Sequence, residues 1–181
     1  MGKTLDEVMI MFADEARFGR INSVRRCWVR GERPVVYSQI VREYTYAYTA
    51  VCPFDGTMDS LIMPAVNSEM MSIFLAEVSK RHLDKTILMF ADRASWHTSN
   101  ILVVPENISL LPLPSHSPQL NPAENIWHEL REKWFYNLYF DSLIEVDNRL
   151  MEALAALEFD AVRVMSTTPF EWIISPFSFA C

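Results

Sequence analysis

The chain has 181 residues, of which 50% are hydrophobic and 12% aromatic, with a formal net charge of −7. That length and apolar content suit one compact α/β-sized domain spanning residues 1–181, and they exclude a disordered chain. The acidic balance by itself argues against a nucleic-acid partner, and there is no run of about 20 apolar residues to cross a membrane.

The N-terminal MGKTLDEV lacks a signal-peptide pattern, and Asp6 stands where a myristoylation motif needs serine or threonine. Cys27, Cys52 and Cys181 are odd in number and far apart, so neither a disulfide framework nor a zinc knuckle is expected. A reducing, cytoplasmic location follows as the expectation. With four glycines, no phosphate-cradling glycine loop is present.

The first apolar run, EVMIMFADE (Glu7 to Glu15), reads as a short buried strand ending in acids. CWVRGERPVVYSQI (Cys27 to Ile40) has two strand-like pieces around Gly31 and Pro34 and reads as a hairpin. Between Arg17 and Arg33 lie Arg17, Arg20, Arg25, Arg26, Arg30 and Arg33, against Glu32 alone. A solvated face is the ordinary reading of such a cluster, and phosphate contact is the functional one. Tyr44, Tyr46 and Tyr48 alternate with Thr45, Ala47 and Thr49, which predicts a strand, and FDGT predicts a turn into the next. The first third is therefore expected to be an antiparallel meander.

The period then changes. Asn67 is placed to cap a helix carrying Met71, Phe74, Leu75 and Val78 on one face. KTILMFAD (Lys85 to Asp92) is a second buried-strand run ending in an acid, and ISLLPLP (Ile108 to Pro114) a further short strand. A helix is expected from Asn121, with Ile126, Leu130, Trp134 and Leu138 four apart. A last helix is expected from about Ser142 to Val164, with Leu143, Val146, Leu150, Leu154 and Leu157 on one face. The order predicts a mixed α/β sheet, part antiparallel, with helices packed on it.

Two runs thus end in an aspartate, Asp14 and Asp92. Side by side in a parallel pair, the two carboxylates would emerge at one sheet edge, where open α/β sheets bind ligands. Like charges held together are costly without a cation between them, and hard oxygen donors suit Mg²⁺ or Mn²⁺. Glu124 is the third candidate. It follows Asn121 and Pro122 at the capping-box position and lies at the rim of the helix's apolar stripe. Aspartate also ends strands in ordinary turns, and glutamate also caps helices. Spacing alone leaves that role open for all three.

MFADEARFGR, ILMFADRASWHTS and LPSHSPQLNPAENIWHELRE together resemble the catalytic domain of DDE transposases, in the bacterial insertion-sequence branch related to mariner elements. That family's blocks are an aspartate with a following glutamate, then Asp-Asn-Ala-x-x-His, then Ser-Pro-x-Leu-Asn-Pro-x-Glu leading into a tryptophan-bearing helix. The third block matches at Ser117, Pro118, Leu120, Asn121, Pro122, Glu124 and Trp127. The resemblance implies a ribonuclease H-like fold, with an antiparallel three-stranded portion followed by parallel strands and flanking helices. It implies Asp14, Asp92 and Glu124 as a triad holding two Mg²⁺ or Mn²⁺ ions. It also implies DNA strand cleavage at transposon ends, strand transfer into target DNA, and a homodimer that brings two ends together.

Three departures stand out. Arg93 replaces the asparagine that usually follows the second aspartate, and it would either contact a phosphate or pair with a triad carboxylate and weaken metal binding. His116 stands where an aromatic residue such as tyrosine is common. No basic helix-turn-helix module precedes Asp14, so the expectation is a catalytic domain served by a separate helix-turn-helix polypeptide, or a truncated remnant.

Around the triad, Glu15 is expected on the opposite face of its strand from Asp14, and His97 is a candidate to organise the site or touch DNA. Asn121 belongs to the same set. His128 follows Glu124 by one turn. Trp96, Trp127 and Trp134 are candidates to stack on bases, with core packing favoured for the latter two. Arg17, Arg20, Arg25 and Arg26 are candidates for the DNA backbone. Two rivals remain: a ribonuclease H or resolvase-like nuclease, and a non-catalytic dimerisation or DNA-binding module derived from a transposase.

Overall fold

The computed structural model describes residues 7–32, 35–94, 97, 101–115, 117–170 and 173. Arg33, Trp96 and His116 lie outside the described residues.

Five strands form one mixed sheet: β1 (Val8–Gly19), β2 (Tyr44–Val51), β3 (Met58–Met63), β4 (Thr86–Ala91) and β5 (Ile108–Pro112). Their order is β3-β2-β1-β4-β5. β1 pairs antiparallel with β2, and β2 with β3, so the antiparallel portion has the three strands expected. β1 and β4 pair parallel, as do β4 and β5. The helices are α1 (Ser68–Arg81), α2 (Ala123–Leu130), α3 (Leu143–Glu158) and α4 (Ala161–Thr167).

Strand alternation splits the apolar residues into two layers. Met9, Met11, Ala13, Ile87 and Met89 pack with Met71, Phe74, Leu75 and Val78 of α1 on one face. Phe12, Ala16, Phe18, Ala47 and Val51 pack with Ile126, Trp127 and Leu130 of α2 and with α3 on the other. Asn67 caps α1 as expected, its side chain accepting the Met70 N–H at 2.9 Å.

Four expectations about elements need correction. β1 does not stop at Glu15. Ala16 and Phe18 continue its alternation and pair opposite Ala47 and Thr45, so it reaches Gly19. The hairpin expected over 27–40 is absent among the described residues, where 20–32 and 35–43 are irregular and lie between β1 and β2 in the chain. Val24, Trp28, Val35, Tyr37 and Ile40 are exposed there, because no sheet face is left to bury them. The Arg20 N–H to Glu43 carbonyl bond closes the base of this excursion, and Asn137, after α2, holds it through the Ser23 carbonyl and the Arg25 N–H.

The long last helix is two. α3 ends at Glu158, and Asp160 caps α4 by accepting the Arg163 N–H at 3.0 Å. A capping aspartate satisfies the backbone donors of a new first turn and so favours a restart over continuation. Finally, α2 begins at Ala123 rather than Asn121, after a 3₁₀ turn over Pro118–Leu120. Asn121 still acts as a cap, accepting the Ala123 N–H at 3.1 Å.

Candidate active site

The register of β1 and β4 sets the site. Phe12 pairs with Phe90, so Asp14 and Asp92 each lie two residues beyond that pair. Two residues preserve strand parity, which places both acids with Phe12 and Phe90 on the α2 face. Asp92 is just past the end of β4, as expected. Asp14 is inside β1, where the parallel pairing to β4 has ended but the antiparallel pairing to β2 continues. Asp14, Asp92 and Glu124 all line one cleft of about 330 Å³, with Arg93, Leu113, Ser115, Ser117 and Asn121 on its walls.

Local packing aims these groups. Asn121 is buried, and its Nδ2 donates to the Ala13 carbonyl at 3.1 Å, fastening the start of α2 to β1 next to Asp14. Trp127 is also buried, and its indole Nε1 donates to Asp14 Oδ2 at 2.8 Å. A buried indole N–H needs an acceptor, and this one orients a site carboxylate. Packing was expected for Trp127, but its hold on Asp14 was missed. The available signal was its place three residues after Glu124, one turn along the same helix. Burial excludes Trp127 from stacking on bases.

Burial and the neighbouring Glu124 raise the Asp14 carboxyl from its ordinary 3.8 to about 7, against the lowering effect of the Trp127 hydrogen bond. Glu124 and Asp92 are exposed to solvent. Glu15 points to the opposite face from Asp14, where its Oε1 meets His97 Nε2 at 2.8 Å. His97 Nδ1 lies 2.9 Å from the Asp92 carboxylate as well. Burial alone would lower the His97 pKa, but the Glu15 hydrogen bond and charge outweigh it and lift it to about 9. The imidazolium thus ties the end of β1 to the end of β4. His128 is exposed, lies 3.8 Å from Glu132 and does not line the cleft.

Three of the four arginines expected as DNA-backbone candidates are engaged by the chain itself. Arg17 stacks over Tyr44, Arg20 pairs with Glu43 and reaches the Phe140 carbonyl, and Arg25 pairs with Glu132 and stacks on Tyr136. Arg26 is exposed on the excursion. None of the four lines the acid cleft.

Among the described residues no three His, Cys, Asp or Glu side chains stand close enough to form a ready metal shell. The donor set still fits a hard divalent cation: three carboxylates on one cleft, one of them destabilised as an anion by burial and by its neighbour.

A model of the DDE superfamily endonuclease family matches residues 9–147. "Uncharacterized protein y4pE/y4sA" of Sinorhizobium fredii (strain NBRC 101917 / NGR234) is 34% identical over 130 residues, covering 71% of this chain and 96% of that protein. Among solved structures, the Mos1 mariner paired end complex with Mn has a TM-score of 0.62 at 17% identity, over 87% of this chain and 52% of that one. The Mos1 strand transfer complex has a TM-score of 0.59 at 17% identity, over 92% of this chain and 57% of that one. The chain spans about half the length of the solved structures it matches, and the likeness shows a shared ribonuclease H-like fold.

Proposed function

The chain belongs to the DDE superfamily endonuclease family, and from that premise we propose that it is a transposase catalytic domain that cleaves DNA at element ends and joins the freed ends to target DNA. The observation that carries this reading is the convergence of Asp14, Asp92 and Glu124, from three separate segments of the chain, on one cleft.

Asp14, Asp92 and Glu124 would hold the divalent ions, Mg²⁺ or Mn²⁺. Bound there, such ions supply Lewis-acid activation of an attacking hydroxyl and stabilise charge on the leaving oxygen. The chain's own residues supply placement. Trp127 restrains Asp14 through one carboxylate oxygen. His97 restrains Asp92 and, through Glu15, the strand that carries Asp14. Asn121 fixes the entrance of the helix that presents Glu124. Preorganisation of this kind matters because a small misplacement of ligands or substrate is costly in rate. No covalent protein–DNA bond is required, which agrees with the lack of a nucleophile motif in the sequence.

The test is Mn²⁺-dependent nicking of supercoiled plasmid by the purified chain and by Glu124→Gln. Gln keeps the size and the helix but removes the charge, so nicking should fall by at least about a hundredfold while the circular dichroism spectrum is unchanged. Full nicking by the variant would overturn the assignment of Glu124. DNA would be the partner, and two copies of the chain would be needed to hold two ends.

A further inference from the structure

Arg93 is the cationic side chain among the described residues that line the acid-bearing cleft. Its Nε donates to the Leu113 carbonyl at 3.2 Å. Leu113 is itself fixed, because its N–H donates to the Ala91 carbonyl at 2.8 Å at the end of β4. The guanidinium is therefore moored to the sheet edge through one nitrogen. It shares the cleft with Asp14, Asp92 and Glu124, yet it forms no ion pair with any of them among the described residues. A cation on a free stem would be drawn to those carboxylates. The carbonyl tether holds this one apart, with the two terminal nitrogens of its fork uncommitted among the described residues.

Of the two roles open from sequence, pairing with the triad is not the one adopted. We propose that Arg93 is a phosphate-binding residue, gripping a backbone phosphodiester of the substrate strand beside the three acids, with Ser115 and Ser117 on the same cleft wall. The inference rests on reading the cleft as a phosphodiester-cleaving site and adds the group that recognises the anion. The physical need is plain. A polyanionic strand approaching three carboxylates is repelled, and a guanidinium fork matches two phosphate oxygens at once. Arg93 is exposed, so the strand can reach it.

The experiment measures binding of a fluorescent duplex of random sequence to the full chain by anisotropy, over a range of salt, for the unaltered chain, Arg93→Gln and Arg93→Lys. Loss of one phosphate contact should weaken binding roughly tenfold and reduce the slope of log K against log salt by about one. Arg93→Lys should keep the slope but recover only part of the affinity, because an ammonium lacks the fork. Calorimetry with Mn²⁺ alone accompanies it. Arg93→Gln should bind Mn²⁺ as the unaltered chain does, whereas Asp92→Asn should not bind it. An unchanged salt slope in Arg93→Gln, or no duplex binding by the unaltered chain, overturns the proposal. So does tighter Mn²⁺ binding by Arg93→Gln, which would mean that Arg93 occupies the carboxylates. Retained Mn²⁺ binding in Asp92→Asn instead overturns the reading of the acid site, independently of Arg93.

Discussion

Trp127 and Glu124 sit three residues apart on one helix and act on the same carboxylate in opposite senses. The Glu124 charge, added to burial, raises the Asp14 pKa, while the Trp127 hydrogen bond lowers it, for a net value of about 7. His97 is shifted upward too, to about 9, by Glu15 and Asp92 against the pull of its own burial. In both cases the folded chain keeps a proton over a range where the unfolded chain has lost it. Stability therefore falls as pH rises, between about 4 and 7 for Asp14 and between about 6.5 and 9 for His97, by at most about 1.4 kcal/mol per pH unit for each group. In metal-free buffer the urea midpoint should be higher at about pH 5.5 than at about pH 8.5. Asp14→Asn should flatten the lower part of the fall and leave the upper part. A midpoint that climbed with pH would contradict both shifts. The environments of these residues were not legible in the sequence, because Trp127 stands 113 positions from Asp14 and His97 stands 82 from Glu15. Periodicity says which face a residue occupies and nothing of what packs opposite.

At the scale of elements, the turn between β2 and β3 illustrates a constraint that the sequence did announce. FDGT was expected to turn, and Gly56 has φ of +75°, a conformation that other residues adopt only with strain. A Cβ there would also clash with the Ala161 carbonyl oxygen, at the start of α4. Gly56→Ala should thus cost about 2 kcal/mol or more, read as a drop in the denaturant midpoint with the fold retained. A neutral substitution would mean that the turn and α4 are not packed as described. The misread elements share a cause. Residues 27–40 contain two strand-like apolar pieces, but such a piece makes a strand only when a neighbour offers hydrogen bonds and a face to cover. β1 uses β2 and β4 as its neighbours, and the excursion finds none. The last helix reads as continuous because Leu143, Val146, Leu150, Leu154 and Leu157 share one face, a period that does not register the restart at Asp160.

For the molecule as a whole, the parallel pairing of β1 with β4 decides where the candidate site sits. It aligns two aspartates from distant segments at one edge, and α2, packed across β1, brings the glutamate to the same cleft. Three carboxylates on one cleft favour the state that carries cations, so divalent metal should stabilise the fold. With free Mn²⁺ at about 100 times its dissociation constant, linkage predicts roughly 2.7 kcal/mol. For a chain of this size that is a rise of about 5–10 °C in Tm by differential scanning fluorimetry. Asp92→Asn should lose most of the rise. An equal rise in that variant would place the metal elsewhere. No described helix is long and apolar enough to cross a membrane.

The sequence by itself determined the five strands of the sheet and the helix after β3, the turn at Gly56, the cap at Asn67 and the three acids as candidates, because each of these is written in local period, local backbone preference or a short motif. It also determined that Glu15 faces away from Asp14, since neighbours on a strand point to opposite sides. Only the tertiary structure decided that β1 runs on past its acids, that Trp127 holds Asp14, that His97 bridges Glu15 and Asp92, and that Arg93 is moored to a carbonyl rather than to a carboxylate. Those facts depend on which segments pack together across long stretches of chain. Burial and proximity then set the charge states, and no local pattern encodes them.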